Sequence, residues 1–228
     1  MKKEFQSERI KLLYRITGKG DPIILLYGYT HTNYLWHPIV SALKEHYTVI
    51  IPDLRSAGAS ETSERCYDKK MLVQDIHALI NVLGYKRVTI VGHDIGLMVA
   101  YAYAAQFPET TDRVVLMNTF LSGIGHWEDV WLMRHLWHPQ SAGMRTEFKY
   151  FKTSKQHTED FTIFSTNKLE MPFLILAGEK SASNYLIKQV KLVAKNVQKK
   201  IIPGTSHWLI EEAPQQVIPV ITTFLNQS

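Results

Sequence analysis

A chain of 228 residues that is 45% hydrophobic can bury one good core, as a single domain or one core with a small insert. Its formal charge of +5 is dispersed. In the one dense group, Lys188, Lys191 and Lys195 stand at helical spacing opposite Leu186, Val190 and Val193, ahead of Lys199 and Lys200, which reads as a solvated helix face and excludes a nucleic-acid patch.

In chain order, strands are expected near 9–16 and 22–27, the second running into the turn at Gly28. A helix over 34–44 and a strand over 47–51 follow, and the strand ends in Pro52, Asp53, Leu54, Arg55, Ser56, Ala57 and Gly58. A helix over 69–82 precedes a strand at 87–91 and a helix at 94–106. After a strand at 113–117 the alternation breaks in the aromatic stretch 122–168. It resumes with a strand at 172–177, a helix at 183–195, a strand at 198–202 and a helix at 214–225. Such alternation implies an α/β fold, a mostly parallel doubly wound sheet covered on both faces, with ligands at the carboxyl ends of the strands.

No apolar window of eighteen residues is present, so no membrane span is expected. Residues 1–9 are charged and lack an apolar core, so no signal peptide is expected. The single cysteine, Cys66, cannot close an internal disulfide and fits a cytoplasmic location. No Cys/His cluster has metal-ligand spacing, and no Gly-x-Gly-x-x-Gly follows Tyr27, so neither metal nor dinucleotide is expected. The expected partner is a small-molecule substrate, with no nucleic acid and no membrane.

The most informative segment is Gly92-His93-Asp94-Ile95-Gly96, between the apolar run 87–91 and the helix-like run from Leu97. Small residues flanking one reactive side chain at a strand-to-helix turn make a nucleophile elbow. The apex is a carboxylate, which suits displacement at carbon better than attack on a carbonyl. The plainer alternative is an ordinary turn with Asp94 as helix N-cap.

Four strand-end motifs, in order, give the chain its resemblance. They are Tyr27-Gly28-Tyr29 with His31, the Asp53 to Ser60 loop, the elbow, and Gly204-Thr205-Ser206-His207-Trp208. Together they resemble the His-Gly, Asp-x-Arg-Gly-x-Gly-x-Ser, elbow and Gly-x-x-His loops of the α/β-hydrolase superfamily. The elbow looks like that of epoxide hydrolases and dehalogenases. Tyr27 stands in the usual His place, Thr30 in the usual Pro place, and Ser56 replaces a usual Gly.

The resemblance implies a hydrolase of epoxides or similar small electrophiles acting through a covalent aspartyl ester. Asp94 would be the nucleophile and His207 the base that activates water. The backbone N–H groups of Ile95 and Tyr29 would form the oxyanion hole. His93, Trp208 and Trp127 are expected in the substrate pocket. The acid that should orient His207 falls at Asn118, or at Ser181 after the next strand, and neither is a carboxylate. Asn can accept a hydrogen bond from the ring but adds no charge. Glu128 or Asp129 could stand in from the cap.

The cap itself looks truncated. Residues 131–138 and 144–151 resemble its two ends, with only 139–143 between them. The expected division is a core of 1–124 and 168–228 with a remnant lid at 125–167. Tyr150 matches a cap proton donor by context, with lid packing as the alternative. A homodimer through exposed lid aromatics is one arrangement the sequence leaves open. Two other functional readings stay open. One is a haloalkane or haloacid dehalogenase, against which Ile95 argues. The other is a catalytically impaired hydrolase-fold protein that binds small molecules.

Overall fold

A computed structural model describes residues 2–7, 10–28, 32–55, 57–58, 60, 68–125, 154–181 and 183–227. Its sheet has eight strands in the order β1-β2-β4-β3-β5-β6-β7-β8. They are β1 (Lys2–Gln6), β2 (Lys11–Thr17), β3 (Asp21–Leu26), β4 (Tyr47–Pro52), β5 (Val88–His93), β6 (Thr111–Met117), β7 (Phe173–Gly178) and β8 (Val197–Ile202). β1 pairs antiparallel with β2, and β2 with β4; every other pairing is parallel. The strands β2 to β8 follow the sequence expectation. β1 is an addition, a charged edge strand whose hydrophobic alternation is too weak to read.

The strand side chains alternate between two cores, as a period of two requires. Ile24, Leu26, Ile50 and Ile90 enter one core. Ile23, Leu25, Val49, Ile51 and Val91 enter the other. The first face is covered by α2 (Lys69–Val82), α3 (Ile95–Gln106), α4 (Ser154–Phe164) and α5 (Ser183–Val193). The second is covered by α1 (His37–Leu43), the single turn α6 (Leu209–Glu212) and α7 (Pro214–Leu225). Both faces of the central strands, β5 and β7 above all, are thereby dry, which is why they read as near-continuous apolar runs, while β8 at the edge stays mostly exposed.

α3 shows no amphipathic stripe because its residues from Ile95 to Ala104 are all buried. Helix α2 begins where Asp68 accepts a hydrogen bond from the Met71 N–H at 2.7 Å, an N-cap. α4 lies at the end of the expected lid. It joins the core through Phe161, buried edge-on against Tyr101 of α3 with ring centroids 5.1 Å apart. The two cap-like ends, 131–138 and 144–151, lie outside the described residues. Among the described residues no helix is long and apolar enough to cross a membrane.

Candidate active site

Five loops meet at the carboxyl ends of the parallel strands. They follow β3 at Gly28, β4 at Asp53, β5 at Asp94, β6 at Asn118 and β8 at His207. Asp94 has φ 55° and ψ −125°, a conformation disfavoured for any residue with a Cβ. Its side chain makes no capping hydrogen bond to α3, although it occupies the N-cap position. The capping alternative therefore does not describe this residue.

The glycines explain how the turn is held so tight. A Cβ on Gly92 would come within 2.3 Å of the Gly96 carbonyl oxygen, and one on Gly96 within 2.2 Å of the Leu26 carbonyl oxygen. The helix start is thus pressed onto two strands. Gly28 faces the carboxylate directly, since a Cβ there would sit 2.2 Å from Asp94 Oδ2. Only a bare backbone leaves room for that side chain.

His207 lies in the loop after β8, and that loop is clamped from two sides. On the inside, Asn118 is 2% exposed and has φ 42°. Its Nδ2 donates to the carbonyl oxygens of Ser206 at 3.0 Å and His207 at 2.8 Å. Its Oδ1 accepts from the Gly178 N–H at 2.9 Å and faces the Ser181 hydroxyl at 3.0 Å. Two donor hydrogens and two lone pairs exhaust an amide. Asn118 thus fixes the backbone of the histidine, and its oxygen is already committed elsewhere than to the imidazole. The two positions at which an acid was sought are partners of one another.

On the outside, Glu212 accepts from the Ser206 N–H at 2.7 Å, from the Ser206 hydroxyl, and from the Trp208 N–H at 3.2 Å. Burial pushes this carboxyl up, but the Ser206 hydroxyl and N–H, the Trp208 N–H and the charge of Lys180 hold it below the ordinary glutamate value. Glu179 adds a further hold, accepting from the Gly204 N–H at 2.9 Å.

The aromatic neighbours complete the wall. The fully buried His93 places Nε2 2.9 Å from the His207 carbonyl, so that nitrogen carries the proton and the oxygen accepts twice. The rings of His93 and His207 lie 4.9 Å apart, and Trp208 meets His207 edge-on at 4.5 Å.

Residues 21–142, over half of the chain, match the alpha/beta hydrolase fold family. This chain belongs to that family. The chain is 35% identical over 108 residues to a soluble epoxide hydrolase of Corynebacterium sp. (strain C12), a match covering 47% of this chain and 38% of that enzyme. It is 25% identical to epoxide hydrolase 3 of Xenopus tropicalis, covering 96% of this chain and 75% of the relative. That alignment runs over 276 positions, more than the 228 residues here, so the relative has residues without a counterpart in this chain. The structure of Cfl2 from Burkholderia cenocepacia shares the fold, with a TM-score of 0.86 at 19% identity, over 98% of this chain and 95% of the other.

Tyr27, in the place of the usual His, donates its hydroxyl to Asp53 Oδ1 at 2.6 Å. Gly58, at φ +56°, leaves room for the same carboxyl, since a Cβ would meet it at 2.5 Å. Two residues on, Arg55 grips Asp75 of α2 through Nε and Nη2, both at 2.8 Å, with both side chains 4% exposed. A bidentate pair of this kind locks the β4 loop to the middle of α2.

The first turn of α2 carries a residue the sequence reading passed over. Lys69 is 2% exposed and lies close enough to Asp94 for the two charges to interact. Burial pushes its ammonium down to about 7, against the opposing pull of Asp94 and Asp68. The signal was present in the sequence. Lys69, Leu72, Val73, Ile76 and Ile80 fall at i, i+3, i+4, i+7 and i+11, so the lysine occupies the buried stripe of α2.

The site therefore gathers Asp94, Ile95, His93, Asn118, His207 and Trp208 at one edge of the sheet. Tyr29, Trp127, Glu128, Asp129 and Tyr150 lie outside the described residues.

Proposed function

We propose that this hydrolase opens an epoxide or a similar small electrophile through a covalent ester on Asp94. The observation that carries the reading is a carboxylate, not a hydroxyl, at the apex of a strained elbow facing Gly28. Asp94 attacks carbon, and His207 then activates the water that hydrolyses the ester. The Ile95 N–H, first in α3 and without an acceptor inside the helix, belongs with that of Tyr29 in the oxyanion hole. The relatives named as epoxide hydrolases support this substrate class. Ile95 supports an epoxide over a halide, because the buried apolar side chain after the nucleophile offers no donor to a departing anion.

In the same reading residues 125–167 form a short lid over the core of 1–124 and 168–228, anchored through Phe161 of α4. The extra positions in the longer relative support a reduced insert. Glu128 or Asp129 of this lid supplies the carboxylate for the His207 ring, and the protein works in the cytoplasm.

The test is hydration of a panel of terminal epoxides, followed as diol formation. The wild type produces diol and Asp94→Asn does not, because an amide is a far poorer nucleophile. Diol formation by Asp94→Asn at the wild-type rate would refute the covalent route.

A further inference from the structure

An epoxide leaves its oxygen as an alkoxide, which needs a proton, and Lys69 is a buried cation at the first turn of α2 whose charge interacts with that of Asp94. We propose that Lys69 is the acid of this site, giving a proton to the oxygen that departs from carbon as Asp94 attacks. The inference rests on the reading of Asp94 as nucleophile.

Three observations support it. Lys69 sits at the first turn of α2, which the Arg55–Asp75 pair fixes against the loop after β4, the strand next to β3 at the centre of the site. Its side chain is almost wholly withdrawn from solvent, and Asp94 is within reach of its charge. The charged groups acting on it are Asp94 from the elbow and Asp68 from its own helix cap, beside the positive end of α2. Burial and that helix end both favour release of a proton, and the two carboxylates oppose it.

The balance shifts in the right direction during the reaction. Before attack, the Asp94 carboxylate offsets the ammonium. As the Asp94–carbon bond forms and the carbon–oxygen bond of the ring breaks, that negative charge moves to the departing oxygen. Lys69 loses its counter-charge as an alkoxide develops, so it stabilises the transition state more than the ground state. The proton passes from Nζ to the alkoxide and leaves a neutral amine. Water then adds to the ester with His207 as base. One water proton ends on the second hydroxyl of the diol, and the other returns to Lys69 by way of His207. Asp94 is regenerated as carboxylate, and the sum is epoxide plus water to diol.

The experiment compares ester formation on Asp94 from an epoxide and from a primary alkyl bromide in single-turnover mass spectrometry. Bromide departs without a proton, so it reports the nucleophile alone. In Lys69→Met the epoxide reaction should slow by about 10²–10³-fold while the bromide reaction changes by less than about 5-fold. In the wild type the epoxide rate should fall as pH rises through about 7, and the bromide rate should not. Equal slowing of both electrophiles in Lys69→Met, or an epoxide rate flat from about pH 6 to about pH 9, would overturn the role of Lys69. If Lys69→Met does not fold, the two wild-type pH profiles decide the matter alone. If neither electrophile esterifies the wild type, the nucleophile reading fails and this inference falls with it.

Discussion

Nδ2 of Asn118 donates to the backbone carbonyl of His207 at 2.8 Å, and the same carbonyl accepts from His93 Nε2 at 2.9 Å. Two buried donors from the ends of adjacent strands thus set where the His207 backbone stands. The imidazole is positioned by holding its main chain.

This relationship sets the effect of placing an acid at position 118. Asn118→Asp would replace an amide that donates twice with a carboxylate facing two carbonyl oxygens. The variant should lose about 2–4 kcal/mol, the cost of charge and lost donors in a buried site. In a protein of this size that lowers Tm by roughly 5–15 °C. Burial among carbonyls raises the pKa of the new Asp in the folded state. The penalty is therefore full at high pH and shrinks as pH falls through that raised value. Denaturant melts of both proteins at several pH values check this, and turnover should fall, not rise.

Asp94→Gly should give a dead but more stable protein. The positive φ of Asp94 costs about 1–3 kcal/mol, and glycine adopts it freely. Part of that gain is offset by the greater freedom of glycine in the unfolded chain. A net gain of about 1 kcal/mol, or roughly 2–4 °C in Tm, is expected. The melt belongs at about pH 8.5, where Lys69 is neutral and does not miss its counter-charge.

Two glycines of the site should fail in different ways. In Gly92→Ala the new Cβ meets the Gly96 backbone, which cannot step aside, so about 3 kcal/mol of stability should go. In Gly28→Ala the new Cβ meets Asp94 at its own Cβ, 2.5 Å away, as well as at its carboxylate, so turning the side chain does not clear it and the elbow must shift. Turnover should drop by at least about 10²-fold, the cost of misplacing a reacting group by an ångström, in addition to a loss of stability. Thermal melts and kcat measured side by side separate the two.

The hold of Glu212 on the His207 loop should be lost in acid. Its folded pKa is depressed, so its contribution is present above the ordinary glutamate range and disappears as pH falls through the lowered value. Hydrogen exchange at the Ser206 and Trp208 amides should quicken on acidification in the wild type, after correction for intrinsic rates. In Glu212→Gln those amides should be weakly protected at every pH, with little change between about pH 3 and about pH 6.

The elbow was legible because everything that makes it is local: an apolar run, two glycines and an apex within ten residues of one another. The helix α2 was equally plain, since Asp68 caps it and its apolar stripe is regular. The role of Asn118 was not legible. Its four bonds run to Gly178, Ser181, Ser206 and His207, between 60 and 89 residues away, and no spacing rule connects them. α4 escaped because it lies at the end of an irregular aromatic stretch, and α6 because a single turn has too little period to detect. Lys69 could have been found by asking why a lysine stands on a buried stripe.

The central claim is that Asp94 carries a covalent ester, and intact-protein mass spectrometry of His207→Gln tests it most directly. After incubation with an epoxide panel, this variant should accumulate an adduct of one substrate mass, mapped by peptide digestion to Asp94, because ester formation proceeds while its hydrolysis lacks a base. Asp94→Asn should show no adduct under the same conditions. Diol formation by either variant at the wild-type rate, or an adduct on any other residue, would contradict the account.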